Sequence, residues 1–263
     1  MPELPEVETV VRSLAPHLAG RAIVSAEFHS PFVTPGDREA LAAAVAGREI
    51  RSVRRHGKFI VFELDRGVLV IHLGMTGKLL LDAPPTQHSY GIFHLDRGTL
   101  IYDDPRQFGR IEFSETLPAR VAALGPDPLG IGLEDFLAVL RKHKARIKPL
   151  LLNQQFLRGL GNIYADEVLF KARIHPRALA SRLGRRRAAE LHSAIRETLE
   201  LAIAHRGSSI SDYVDAAGEK GSFQLLHQVY GREGQPCRTC GTPIRRILVA
   251  QRGTWYCPRC QRP

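Results

Sequence analysis

The chain has 263 residues, 44% of them hydrophobic, and a formal net charge of +10. That is enough for two domains, or one large one, with a proper apolar core. The charge argues for a polyanionic partner, with a membrane surface as the rival anion; no apolar run approaches the roughly 18–20 residues of a membrane span and no basic-then-apolar pattern opens the chain, so a soluble intracellular protein is expected.

The chain opens Met1-Pro2-Glu3-Leu4-Pro5-Glu6. Removal of Met1 would leave Pro2 as a free secondary amine with a carboxylate on the next residue. Such an amine forms a cationic iminium directly on attacking an electrophilic carbon. An α-amino group titrates roughly two to three units below lysine, so a useful fraction is unprotonated at neutral pH. The plainer reading of such a start is that Pro5 merely opens a helix. Val7, Val10, Val11, Leu14, Ala15 and Leu18 do recur at helical spacing after it.

From about residue 22 to 115 the texture is that of strands. Phe59–Phe62, Val68–Ile71 and Leu100–Tyr102 are short apolar runs, and Asp65-Arg66-Gly67 and Asp96-Arg97-Gly98 are hairpin turns between such runs. The first half is therefore read as mostly β with one helix at its start. Lys58 falls in a predicted hairpin, where an ordinary exposed lysine would be expected. Two glycine-bearing loops follow strands, His72–Gly77 with Met75 and Asp104–Gly109 with Arg106 and Phe108. Met75 could simply fill a core gap. Yet apolar wedges beside arginine are also what a protein inserts into a duplex around an extruded base.

Gly125–Gly130 is rich in breakers and reads as a hinge. Helical patterns follow it: Leu133, Phe136, Leu137 and Leu140 share one face, and Leu191, Ala194, Ile195, Thr198, Leu199 and Ala202 form a longer stripe. Leu160–Tyr164 is a glycine turn entering a helix with Asn162 at the N-cap, a place suited to a phosphate. Basic residues gather after the hinge: Arg141, Lys142, Lys144, Arg146 and Lys148, then Arg185–Arg187, then seven arginines against one acid from Arg232 onward. A charge run alone usually marks a solvated face; three of them beside a metal ribbon favour nucleic acid.

All four cysteines lie in the last 27 residues, as Cys237-x2-Cys240 and Cys257-x2-Cys260 separated by 16 residues. That spacing is a four-cysteine zinc site, closed and therefore structural. Two disulfides are the alternative, disfavoured in a chain without a secretion signal.

MPELPEVETV, RRHGKF, HLGMTG, DPRQFGR, GLGNIYADEVLF and the terminal cysteine pairs around QRGTWYC occur in one order. Together they resemble the Fpg branch of the Fpg/Nei family, the formamidopyrimidine-DNA glycosylases, from the first residue to the last cysteine. The resemblance implies an α+β multidomain fold. It comprises an N-terminal catalytic β-sandwich domain with flanking helices (1–127), a helical helix–two-turn–helix DNA-binding domain (128–228) and a four-cysteine zinc finger on a β-hairpin (229–263).

It also implies a monomeric bacterial, nucleoid-associated glycosylase and abasic-site lyase, acting on double-stranded DNA with oxidised bases or abasic sites. Pro2 matches the nucleophile, Glu3 its acid/base carboxylate, Lys58 a lysine near the lesion and its phosphate, and Arg252 the zinc-hairpin arginine assigned to δ-elimination. Met75, Arg106 and Phe108 match the residues that fill the void left by the everted base, with Arg106 facing the orphaned cytosine. His88 and Asn162 match DNA contacts, and Lys144 and Arg146 are weaker ones. Glu6 matches an acid of the motif without an evident role.

The chain departs from relatives at Ser89-Tyr90-Gly91 and in the lesion loop 215–223, which keeps its glycines and Phe223 but carries Glu219-Lys220. Two rival readings are an oxidised-pyrimidine specificity, as in the endonuclease VIII branch, and a non-catalytic zinc-ribbon DNA binder. A binder has no use for a free secondary amine.

Overall fold

The computed structural model describes residues 1–210 and 213–262. It divides into two compact units, Met1–Ala123 with His205–Ser222, and Leu124–Ala204 with Phe223–Pro263. Among the described residues no helix is long and apolar enough to cross a membrane.

The first unit runs α1 (Leu4–Leu18), β1 (Arg21–Phe28), α2 (Arg38–Val45), β2 (Arg48–His56), β3 (Phe59–Leu64), β4 (Val68–His72), β5 (Lys78–Leu81), β6 (Ser89–Leu95), β7 (Thr99–Asp103), β8 (Arg110–Ser114) and α3 (Ala119–Ala122). The strands form one antiparallel ladder in the order β5-β7-β6-β1-β2-β3-β4-β8. Register shifts between Ile23 and Ser25 in β1, and between Ile50 and Ser52 in β2, mark bulges at the centre of that ladder. Bulges bend strands, and here the sheet folds over on itself. The Tyr102 hydroxyl of β7 lies 3.5 Å from the His72 carbonyl of β4, and Gly91 of β6 packs on Ile111 of β8. Strands far apart in the ladder thus face one another across one core, as in a sandwich. The buried stripe of α1 (Val7, Val10, Val11, Leu14, Leu18) joins that core with Phe62, Phe93 and Tyr102.

The expectation of a single helix in this half is corrected by α2. Its sequence REALAAAV fully buries only Val45, with Leu41 and Ala42 half-buried against the same core, so its apolar face is barely more than one turn long and gives little periodicity to read. Alanine propensity and an Asp37 N-cap, whose Oδ1 accepts from the Glu39 and Ala40 N–H groups, make it helical.

The second unit contains α4 (Leu133–Arg141), α5 (Ile147–Leu152), α6 (Asn162–Lys171), α7 (Arg185–Ala204), and a hairpin of β9 (Arg245–Val249) and β10 (Arg252–Tyr256). The expected stripe of α7 is buried along its length. The finger packs through Cys237, Ile244 and Cys257 on Phe170 of α6.

Candidate functional site

In the first unit, Glu3 is the N-cap of α1 and forms a capping box with Glu6, whose Oε2 accepts from the Glu3 N–H at 2.8 Å. Glu3 is 3% exposed and Glu6 1%. The other Glu6 oxygen accepts from the Ser208 N–H at 2.7 Å, and the Glu6 carbonyl accepts from the Tyr213 hydroxyl at 3.2 Å. Gly207, at a φ of +76°, sits so close that a Cβ there would come within 2.6 Å of Glu6 Oε1. Glu6 therefore ties the Pro2–Glu3 terminus to the segment leading into residues 215–222. The Glu-x-x-Glu spacing at a helix start was the sequence signal for it. Within that segment Asp215 Oδ1 accepts from the Ala217 and Glu219 N–H groups, which turns the chain at Gly218.

Lys58 is 8% exposed, so it is no ordinary surface hairpin lysine. His72 lies near it and near Arg120; burial, then those two cations, push the imidazole down to about 4. Neutral His72 accepts the Gly74 N–H on Nδ1 at 3.1 Å, which shapes the start of the Met75 loop. The unfolded chain protonates this histidine near 6.5 and the folded one only near 4. The stability due to neutral His72 is complete above 6.5 and is lost as pH falls to 4, about 3 kcal/mol at most at about 1.4 kcal/mol per unit. The melting temperature of His72→Gln, followed from pH 7 to 4, should fall less than that of the parent chain. Parallel curves would show that His72 does not set this pH response.

Met75 is 39% exposed, so it does not fill a core gap, and Phe108 is 54% exposed. The Arg106 guanidinium stands 4.7 Å from the Phe108 ring centroid. His88 is half-buried at the end of the segment before β6. The Met75 and Arg106–Phe108 loops touch: a Cβ on Gly74 would lie 2.5 Å from the Gly109 nitrogen. The His88 carbonyl accepts from the Asp104 N–H at 3.0 Å. The structure thus brings these four residues into one loop cluster.

In the second unit, Asn162 is the first residue of α6 and Gly161 the N-cap, one residue from the expected arrangement. Its Nδ2 donates to the Gly253 carbonyl at 3.0 Å. Lys148, which the sequence placed in a basic cluster, is fully buried instead. Its Nζ donates to the Gly253 carbonyl (3.1 Å) and Thr254 Oγ1 (2.8 Å), and pairs with Asp166 Oδ1 at 2.8 Å. Asp166 Oδ2 accepts from the Trp255 N–H. Burial pushes the Asp166 carboxyl up to about 7, against the pull of Lys148. Helices α5 and α6 thus grip β10 immediately after Arg252. Arg252 itself is exposed and follows a two-residue turn, Ala250-Gln251, with both residues at positive φ (48° and 60°). That is the hairpin turn whose twist suits the flanking strands. Lys144 and Arg146 stand exposed in the stretch between α4 and α5 and take no part in this grip.

The four cysteine sulfurs lie within 4.8 Å of one another. Cys240–Cys257, Cys240–Cys260 and Cys237–Cys260 are 3.5, 3.5 and 3.9 Å apart. A disulfide needs about 2.05 Å. Sulfurs about 2.3 Å from one tetrahedral ion stand about 3.8 Å apart, so the donor set fits zinc.

Three family models cover most of the chain. The formamidopyrimidine-DNA glycosylase N-terminal domain matches residues 1–111, the formamidopyrimidine-DNA glycosylase H2TH domain 124–214, and the zinc finger found in FPG and IleRS 234–263. A formamidopyrimidine-DNA glycosylase of Solibacter usitatus is 58% identical, with all of both chains covered. One from Desulforamulus reducens is 45% identical over 100% of this chain and 99% of its own. Among solved structures, a Lactococcus lactis FPG mutant in complex with Fapy-dG-containing DNA is 41% identical with a TM-score of 0.91, both chains fully covered. The MutM (FPG) protein of Thermus thermophilus is 41% identical with a TM-score of 0.89, covering 99% of this chain and 98% of its own.

Proposed function

The chain belongs to the formamidopyrimidine-DNA glycosylase family, and on that premise we propose that it removes oxidised purines, 8-oxoguanine and formamidopyrimidines, from duplex DNA and then cuts the strand. The observation that carries this reading is the held terminus. Glu3 is buried next to Pro2, and its backbone is fixed by Glu6 within a folded core. A positioned carboxylate beside an amine is what covalent displacement at a sugar carbon requires.

With Met1 removed, the Pro2 nitrogen attacks C1′ as the bond to the base breaks and the base leaves with that electron pair. Glu3 protonates the ring oxygen as the sugar opens and takes back the proton that the Pro2 nitrogen gives up, leaving a cationic iminium between Pro2 and C1′. The iminium acidifies the C2′ proton. Its loss expels the 3′ phosphate, and a second elimination expels the 5′ phosphate. Lys58 and Arg252 serve the lesion's phosphates in this scheme, Arg252 at the second elimination. Met75, Arg106 and Phe108 occupy the space of the everted base. His88, Lys144 and Asn162 hold the backbone, and the basic residues after the hinge supply the salt-dependent part of affinity. Zinc, when bound by Cys237, Cys240, Cys257 and Cys260, organises the finger and takes no part in the chemistry. The working unit is taken as a monomer of three parts, 1–127, 128–228 and 229–263.

Borohydride trapping on two duplexes tests the reading, one with 8-oxoguanine opposite cytosine and one with thymine glycol. A covalent adduct and cleavage on the first, at least about tenfold faster than on the second, is expected, since a site built for one base rejects another by about 1–3 kcal/mol or more. The reverse order would move the chain to the oxidised-pyrimidine reading, and no adduct on either would leave only a DNA binder.

A further inference from the structure

The geometry points to Asp104 as a positioning residue that presents Met75, Arg106 and Phe108 as one block, an assignment that rests on their void-filling role. Asp104 is fully buried. Its Oδ1 accepts from Thr76 Oγ1 at 2.5 Å, next in the chain to Met75. Its Oδ2 accepts from the Gly109 N–H at 2.8 Å, next to Phe108, and from the Tyr102 hydroxyl at 3.2 Å. The Arg106 N–H approaches Oδ1 at 3.4 Å, and the Asp104 carbonyl accepts from the Gln107 N–H at 3.0 Å. The Asp104 N–H donates to the His88 carbonyl. One residue therefore bonds to the backbone or to a neighbour of each of the three side chains, and to the His88 segment as well.

The three side chains cannot hold this arrangement by themselves. They are exposed, and the contact among them is the Arg106–Phe108 stack. Side chains that must enter a base stack gain from being set beforehand, because ordering them on binding costs roughly 0.5–1.5 kcal/mol each. A carboxylate suits the task because it only accepts, and here every group aimed at it is a donor. An amide in its place offers one acceptor oxygen and turns its NH2 toward a donor. In Asp104→Asn an oxygen kept on Gly109 sets the NH2 against the Arg106 N–H and makes the Thr76 hydroxyl reverse its bond, while an oxygen kept on Thr76 sets the NH2 against the Gly109 N–H, so one backbone bond that shapes the Arg106–Phe108 loop is lost either way.

The test compares single-turnover base excision from an 8-oxoguanine:cytosine duplex with strand cleavage of a preformed abasic duplex, which has no base to extrude. Asp104→Asn should lose about tenfold or more in excision and less than about threefold on the abasic duplex, since small misplacements cost heavily where geometry is strict. Thr76→Val should repeat this pattern if Asp104→Asn folds poorly, and Thr76→Ser, which keeps the hydroxyl, should restore excision. Equal losses on both duplexes, or no loss on either, would overturn the assignment. A parent chain that neither traps nor cleaves would count against the proposed function instead.

Discussion

A Pro2→Gly chain should give no borohydride-trapped adduct on an 8-oxoguanine:cytosine duplex, and its strand cleavage should fall at least about 100-fold, roughly 3 kcal/mol of barrier. A chain with an uncleavable N-terminal extension should do the same. The two changes act differently. In the extended chain the Pro2 nitrogen is a tertiary amide with neither a basic lone pair nor a place for a new bond. In Pro2→Gly an amine remains, but it is primary, it yields an imine that needs a further proton to become cationic, and it lacks the ring that fixes its direction. Neither change should unfold the first unit, because α1 is fastened by Leu4, Val7, Val10, Leu14 and Leu18, each 1% exposed or less. DNA binding in both should therefore persist. An adduct of parental strength after both changes would remove Pro2 from the mechanism. Peptide mapping of active parent protein should find Pro2 first in the chain.

Residues that declare themselves by spacing were legible in the sequence. The stripes of α1, α4 and α7 and the apolar runs of β3, β4 and β7 repeat at their structural period. The cysteine pairs announce a metal site because two tight knuckles must meet at one ion. What stayed hidden depends on environment. Lys148 reads as one more positive charge beside Lys144, yet it is withdrawn from water and carries an ion pair with Asp166 inside the unit. Its apolar neighbours Ile147, Leu150 and Leu151 were the available hint. Lys58 was expected at the surface because hairpin turns are usually exposed. Asp104 stood only as the first residue of a glycine-bearing loop, and its letters do not say that side-chain and backbone donors from two loops and from β7 converge on it. The return of residues 205–222 to the first unit follows from Glu6 and Gly207, partners far apart in the chain that no local pattern connects. The roles given to the DNA-facing residues came from the family motifs, since exposure and charge alone describe many solvated loops equally well.

Removing the metal should cost more DNA affinity than any single arginine. The finger's own core is small: Val229, Cys237, Ile244 and Cys257 against Phe170, and two of these are themselves ligands. A cluster of this size is too small to hold a segment of its length folded unaided, and structural zinc adds about 10–16 kcal/mol to such a finger. Chelation should therefore melt the finger and release β10 from Lys148 and Asp166, displacing Arg252 together with the other finger arginines. Affinity for a lesion duplex should drop more than about 100-fold, several phosphate contacts being lost together. The chain's only tryptophan, Trp255, lies in β10 against Tyr230, with ring centroids 4.6 Å apart, so its fluorescence reports this event directly. Among the described residues the first unit holds no cluster of metal ligands, and it has its own core; its circular dichroism and melting should persist in the chelated protein. Arg252→Ala provides the contrast. It leaves the ribbon folded, and if Arg252 meets a phosphate it should lower affinity about tenfold and reduce the salt slope by about one. Unchanged binding after chelation would mean that the finger does not contribute to the interface. Unchanged affinity and salt slope in Arg252→Ala would remove that arginine while leaving the finger in place.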